Sequence, residues 1–218
     1  MSSKAYIVPS DFTPPTKQED YRVGALAAGM QRAYKLGVQS WDHKNVPLSP
    51  DQNDPTVPVL SELIAWLRKG NWPQNLDARE FEPIIDAGAG ANLDFWYTAA
   101  LAAIGTEYSI TGAVSPCPAI NRVKRIVVFY GVQVVTSPCP VNRLVFRRNT
   151  AVTGLLQAEF DLQQLATMLR VDGFFSEPVV WDNNTAYSVA ALCQIATGVA
   201  ANVIPKNFVI EPAGTVNV

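Results

Sequence analysis

The pattern of apolar residues changes at Gly105, and this change limits the folds open to the chain. Before Gly105, apolar residues recur at the three- and four-residue spacing typical of helices. After it, runs rich in Val, Ile, Thr, Tyr and Phe are separated by Pro, Gly and Asn, as strands are. Helices followed by strands indicate an α+β fold. We predict a mainly helical region over residues 1–104 and an antiparallel, jelly-roll-like β sandwich over residues 105–218.

Three helices are predicted in the first region and one in the second. The first begins at a capping box, Thr16 with Glu19, and ends at Gly37, where a left-handed residue can close a helix. The second has apolar residues from Leu60 onward at helical spacing and ends at Gly70. The other two are expected over residues 92–105 and, inserted in the sandwich, near residues 161–170.

Strands are predicted where β-branched and aromatic residues concentrate. The predicted ranges are residues 106–114, 123–135, 141–148, 177–181 and 207–211, whereas residues 186–196 fit the period of either a strand or a helix. The sequence Ser-Pro-Cys-Pro precedes two of these strands, at 115–118 and 137–140. Because two prolines around one residue favour an extended chain, we expect each motif to lead into a strand and the two strands to be neighbours in one sheet.

The three cysteines show no spacing of a thiolate metal site. Cys193 lies in an apolar run, so we expect it to pack as a small hydrophobic residue. A bridge between Cys117 and Cys139 is conceivable from the repeated motif, and a reducing compartment argues against it.

Six cations and no anion lie between Tyr108 and Ala158. These cations are Arg122, Lys124, Arg125, Arg143, Arg147 and Arg148. If the two strands were neighbours, these side chains would share one edge or face and could bind phosphate or an acidic partner, since guanidinium matches both. The simpler interpretation is that they pair with the chain's own acidic residues. Nucleic acid is the least supported partner, because no stacked-aromatic motif or strongly basic domain accompanies the cations.

Signatures of catalysis are mostly absent from the sequence. The single histidine, His43, lies in a polar loop, and no nucleophile-elbow or zinc-protease motif occurs. We therefore predict that the protein is not an enzyme and needs no metal or cofactor. A polar loop follows a predicted strand at Trp181, Asp182, Asn183 and Asn184. Loops with an aromatic at their edge occur in carbohydrate-binding sites, and Asn and Asp are equally typical of ordinary turns.

Charged residues make up only 17% of the chain, against roughly 25% in ordinary soluble domains. Because charged side chains keep proteins soluble and apart, this shortage indicates that other subunits cover part of the surface. We predict a structural subunit of a large homo-oligomeric assembly, such as a viral or phage capsid or tail protein. The alternative is a carbohydrate- or protein-binding sandwich module. No segment is long and apolar enough for a membrane span, and no signal peptide is evident, so we expect cytoplasmic synthesis, with the virion as a further location.

Overall fold

The described part of the chain contains two helices and ten strands. A computed structural model describes residues 5–10, 13–79, 96–97, 101–109, 124–134, 140–148, 154–162, 171–198 and 201–215. The helices are α1 (Pro15–Lys35) and α2 (Leu60–Arg68). The strands are β1 (Ala5–Pro9), β2 (Leu76–Arg79), β3 (Trp96–Tyr97), β4 (Glu107–Ser109), β5 (Ile126–Val134), β6 (Val141–Arg148), β7 (Leu155–Asp161), β8 (Val171–Trp181), β9 (Tyr187–Cys193) and β10 (Asn202–Pro212). The predicted α+β class is confirmed.

Helix α1 has its N-cap two residues earlier than predicted. Its cap residue is Pro14, and no side chain caps the helix, so the predicted capping box at Thr16 is wrong. Pro15 suits the first helical position because its fixed φ is already helical and its missing N–H needs no partner there. Glu19 instead pairs with Arg22 at 3.2 Å. Gly37, just after the helix, has φ +65°, which confirms the predicted left-handed ending.

Five strands form the near half-sheet, which packs against the helices. Its order is β2-β10-β5-β8, with β3 also paired to β10. Four strands form the far half-sheet in the order β7-β6-β9-β4. All pairings within each half-sheet are antiparallel.

Strand β1 joins the two half-sheets. Ile7, Val8 and Pro9 pair antiparallel with β8, whereas Ala5 and Tyr6 pair parallel with β7. The sheet is therefore mixed, and the prediction of a wholly antiparallel sheet is wrong. Strand β1 lies between β8 and β7. It runs antiparallel to β8, and in this same direction it is parallel to β7.

The two half-sheets share one apolar core. Phe129 on β5 contacts Phe146 on β6, with ring centroids 5.6 Å apart. Phe160 on β7 stacks on Phe175 on β8 at 3.8 Å. Cys193 is buried in the same core, as predicted, without a disulfide. Offset and edge-on ring pairs of this kind add to the stabilisation from buried apolar area.

A second apolar core lies between the helices and the outer face of the near half-sheet. Met30 of α1 and Leu63 of α2 are fully buried there, beside Val128 of β5 and Ile210 of β10. Alternation along β5 explains the two cores, because Val127 and Phe129 point to the shared core while Val128 points to the helices. The described strands of the near half-sheet therefore contribute side chains to both cores.

Several local predictions differ from the structure. The strands after the two Ser-Pro-Cys-Pro motifs, β5 and β6, are not neighbours: β5 pairs with β8 and β10, and β6 with β7 and β9. Their side chains Phe129 and Phe146 are in contact in the shared core instead. Trp96 and Tyr97, predicted helical, form β3, because hydrogen bonds to β10 override the local helical pattern. The ambiguous segment at 186–196 contains strand β9.

Two further predictions fall partly outside the described residues. Of the helix predicted near 161–170, Asp161 ends strand β7 and Leu162 is buried, while residues 163–170 are not described. Cys117 and Cys139 also lie outside the described residues. The boundary after residue 104 stays a prediction, although β1, β2 and β3 from the first region pair with strands of the second. Neither described helix combines the length and apolar character needed to cross a membrane.

Candidate functional site

A cavity of about 450 Å³ opens where the ends of four strands meet the last turn of α1. Its lining residues are Arg32, Arg148, Leu155, Leu156, Gln157, Val180, Asp182 and Tyr187. Ligand pockets in proteins are commonly about 300–1,000 Å³, with apolar walls and a few polar groups. This cavity has both components.

Arg148 lies between two other residues that line the cavity. It is the last residue of β6, and in the ladder it lies opposite Leu155 of β7 on one side and Tyr187 of β9 on the other. Gln157 is fixed nearby, because its side-chain amide donates to the carbonyl oxygen of Val180 at 2.7 Å. The sheet therefore places one cation between an apolar and an aromatic side chain.

Arg32 and Asp182 form a paired wall of the cavity. The Nε and one terminal nitrogen of Arg32 donate to the two carboxylate oxygens of Asp182 at 2.7 and 2.8 Å. Such parallel bonds fix geometry as well as charge. The hydrogen bond to Asp182 raises the pKa of Arg32, with burial acting in the opposite direction. The pair contributes no net charge to the cavity.

Tyr187 is held in place from two sides. Its ring stacks on that of Trp181, with centroids 5.0 Å apart and planes nearly parallel. Its hydroxyl oxygen accepts a hydrogen bond of 2.7 Å from the backbone N–H of Asp182. Burial raises the pKa of the Tyr187 hydroxyl, so the group stays protonated at neutral pH. A protonated hydroxyl that already accepts from the backbone still has its own hydrogen to donate.

The predicted ligand loop divides into two parts. Trp181 is only 1% exposed, so its ring is not available to stack on a sugar, and Asp182 faces the cavity. Asn183 and Asn184 form a turn, in which the carbonyl of Asn183 accepts from the Thr185 hydroxyl and Asn184 has φ +49°. Asn tolerates this left-handed conformation better than most residues. The turn interpretation therefore suits Asn183 and Asn184.

The predicted cationic cluster is dispersed. Arg125 is buried and paired with Glu211, which Arg79 also approaches at 3.6 Å. On the far half-sheet, Arg143 pairs with Glu159 at 2.7 Å, and Arg147 pairs with Glu107 at 2.9 Å. These contacts match the simpler interpretation, pairing with the chain's own acidic residues.

The remaining cations differ from one another. Lys124 is exposed with φ +58°, and Arg122 lies outside the described residues. Arg148 faces the cavity, and among the residues that the structure describes it has no ion-pair partner. Among the predicted cations within the described residues, Arg148 therefore lines this cavity.

His43 lies in an exposed loop, with its ring 3.8 Å from that of Trp41 between centroids. Across the described ranges, no group of three or more His, Cys, Asp or Glu side chains is arranged to hold a metal ion.

Among the cavity residues that sequence reasoning did not single out are Arg32 and Tyr187. Arg32 belongs to a helix and lies 150 positions from Asp182, and no local spacing links them. Tyr187 falls in the segment whose period was ambiguous, so its position at the start of a strand could not be assigned. No known protein family, curated protein or solved structure matches this chain at a significant level.

Proposed function

We propose that the chain is a structural subunit of a large homo-oligomeric assembly, such as a viral or phage capsid or tail component. The observation that carries the proposal is the exposure of large apolar side chains at two places, Ile104 at 69% and Leu155 at 71%. Exposed apolar groups on a chain with only 17% charged residues favour burial against another copy.

The two exposed sites lie at opposite ends of the far half-sheet. Leu155 is opposite Arg148 at one end of β6. At the other end Val141 is opposite Cys193, whose carbonyl accepts from the N–H of Gly105, next to Ile104. Seven residue steps of roughly 3.3 Å separate the two ends of β6, or about 23 Å. The two exposed sites are therefore separate patches.

Each end has a second exposed apolar side chain. Leu156 is 45% exposed beside Leu155, and these two residues form the Leu155 end. Ile195 is 39% exposed and donates its N–H to the carbonyl of Pro140, the residue before β6. Ile104 and Ile195 form the Ile104 end. Two different patches on opposite sides of one molecule suit head-to-tail contacts, which produce rings or open filaments.

Light scattering coupled to size exclusion tests this proposal with two single variants, Leu155→Asp and Ile104→Asp. Each should lower the assembled mass, because a buried unpaired carboxylate opposes the contact. An equimolar mixture should yield dimers, since each variant supplies the end that the other lacks. Leu60→Asp is the control, because Leu60 is 37% exposed on a different surface.

A 23.7 kDa monomer at every concentration would contradict the proposal. So would an assembled mass that is as high in both variants as in the wild type. If the wild type assembles, electron microscopy of the assembly would distinguish closed particles from filaments.

The finer architecture, a jelly-roll-like β sandwich, belongs to the same proposal. It is supported by the apolar core that β5 and β8 share with β6, β7 and β9.

The alternative function, a binding module, is supported by the cavity at Arg148. Its carbohydrate version is weakened by the burial of Trp181.

A further inference from the structure

The cavity beside Arg148 carries one surplus positive charge. Arg32 and Asp182 neutralise each other through two hydrogen bonds. Arg148 is exposed and lacks an ion-pair partner within the described part of the chain. The cavity therefore presents a single guanidinium that is not matched by an anion.

A second donor lies in the same cavity. The Tyr187 hydroxyl accepts from the Asp182 N–H, and its own hydrogen finds no acceptor among the residues described. Arg148 lies opposite Tyr187 in the β6–β9 ladder, so both donors belong to one end of the sheet. A carboxylate has two oxygens and can accept from both groups.

Part of the cavity lining is apolar. Leu155, Leu156 and Val180 form this part, and Leu155 is 71% exposed to solvent. A short hydrocarbon chain placed against these residues would bury apolar surface, at roughly 25 cal/mol per Å². The walls thus favour a ligand that is charged at one end and apolar at the other.

We propose that this cavity binds a small organic monoanion with one carboxylate head and a short aliphatic tail. The head bonds to Arg148 and to the Tyr187 hydroxyl, and the tail lies on Leu155, Leu156 and Val180. One negative charge balances the one surplus cation. A phosphate dianion would leave an excess negative charge next to Asp182. The tail would lie on the same Leu155 end that the proposed assembly buries, so the ligand and a neighbouring copy are alternative occupants of that surface.

NMR titration tests the proposal, with the amide of Asp182 as the reporter because its N–H contacts the Tyr187 hydroxyl. The probes are hexanoate, acetate, 1-hexanol and hexyl phosphate, added at a protein concentration at which light scattering shows the smallest species. Hexanoate should give a saturable shift and bind at least tenfold more tightly than acetate, hexanol or hexyl phosphate.

Arg148→Gln should weaken hexanoate binding by about tenfold to a hundredfold, because it removes a charged hydrogen-bond donor. Arg148→Lys should restore part of the loss, since it keeps the charge and loses the fork. Arg143→Gln is the matched control, because Arg143 lies on the same strand, is exposed and pairs with Glu159. Its hexanoate affinity should equal that of the wild type.

Three results would overturn the inference. The first is no saturable shift with hexanoate, and the second is equal affinity for hexanol or acetate. The third is hexanoate binding that Arg148→Gln leaves unchanged. Tighter binding of hexyl phosphate than of hexanoate would overturn the assignment to a carboxylate. The assembled mass is measured separately, so a failure of the ligand proposal can be distinguished from a failure of the assembly proposal.

Discussion

At the scale of single residues, two tyrosines link the fold to pH. Tyr34 in α1 is 3% exposed, and Tyr187 is 2% exposed. Burial is the main cause that raises the pKa of each hydroxyl above its usual value of 10.0. In the unfolded chain both hydroxyls would ionise near pH 10. The folded state keeps their protons at a pH where the unfolded state has lost them.

The sign of the pH effect follows from this difference. Below about pH 10 the stabilisation from these two protonated hydroxyls is fully present. As the pH rises further, each tyrosine lowers the free energy of unfolding by up to about 1.4 kcal/mol per pH unit. In Tyr34→Phe, the free energy of unfolding should therefore fall less steeply above pH 10 than in the wild type. Urea unfolding at a series of pH values measures both slopes. Equal slopes would show that Tyr34 ionises alike in both states.

At the scale of elements, the contact of α1 with the near half-sheet depends on a glycine. A methyl group at Gly29 would overlap the side chains of Val128 on β5 and Ile210 on β10. The helix therefore lies closer to the strands than any larger residue at this position would allow. Gly24 is also in α1, and a methyl group there would meet open space.

These two glycines give a matched pair of substitutions. Gly29→Ala should lower the free energy of unfolding by about 1–3 kcal/mol, because the core must shift to accept the methyl group. Gly24→Ala should leave it unchanged or raise it by up to about 1 kcal/mol, since alanine favours helix. Urea denaturation of both variants measures the difference. If Gly29→Ala were as stable as Gly24→Ala, this result would contradict the close approach of α1 to β5 and β10.

The sequence predicts the elements better than their partners. Helices α1 and α2 and strands β5, β6, β8 and β10 follow from local patterns, because each buries an apolar face of fixed period. Strand pairing has no such local signal, and so the expected pairing of β5 with β6 is wrong. The same limit applies to the cavity, where Asp182 and Arg148 were candidates and Arg32 and Tyr187 were not. Their proximity is produced only by the tertiary fold.

At the scale of the whole molecule, the short strand β1 connects both half-sheets. Ile7 is 4% exposed and belongs to the shared core, whereas Tyr6, the preceding residue, is 62% exposed. The backbone of the same strand bonds to β7 and to β8. Loss of this strand should therefore affect both half-sheets together.

Ile7→Ala tests this connection. It should lower the free energy of unfolding by about 2–4 kcal/mol, because a large side chain is removed from a packed core. Hydrogen exchange should accelerate at amides of both β7 and β8. Tyr6→Ala, one residue away, should change stability by less than about 0.5 kcal/mol, as exposed positions usually do. Faster exchange confined to one half-sheet would contradict a joining role for β1.

The position of β1 also has a consequence during synthesis on the ribosome. Tyr6 bonds through its N–H to Ser176, a residue 170 positions later. Translation adds roughly 5–20 residues per second, so β1 emerges many seconds before either of its partner strands exists. Throughout that interval the backbone groups of β1 lack their native partners, β7 and β8, and can bond to other strands. Chains translated side by side on one message would then be well placed to exchange this strand.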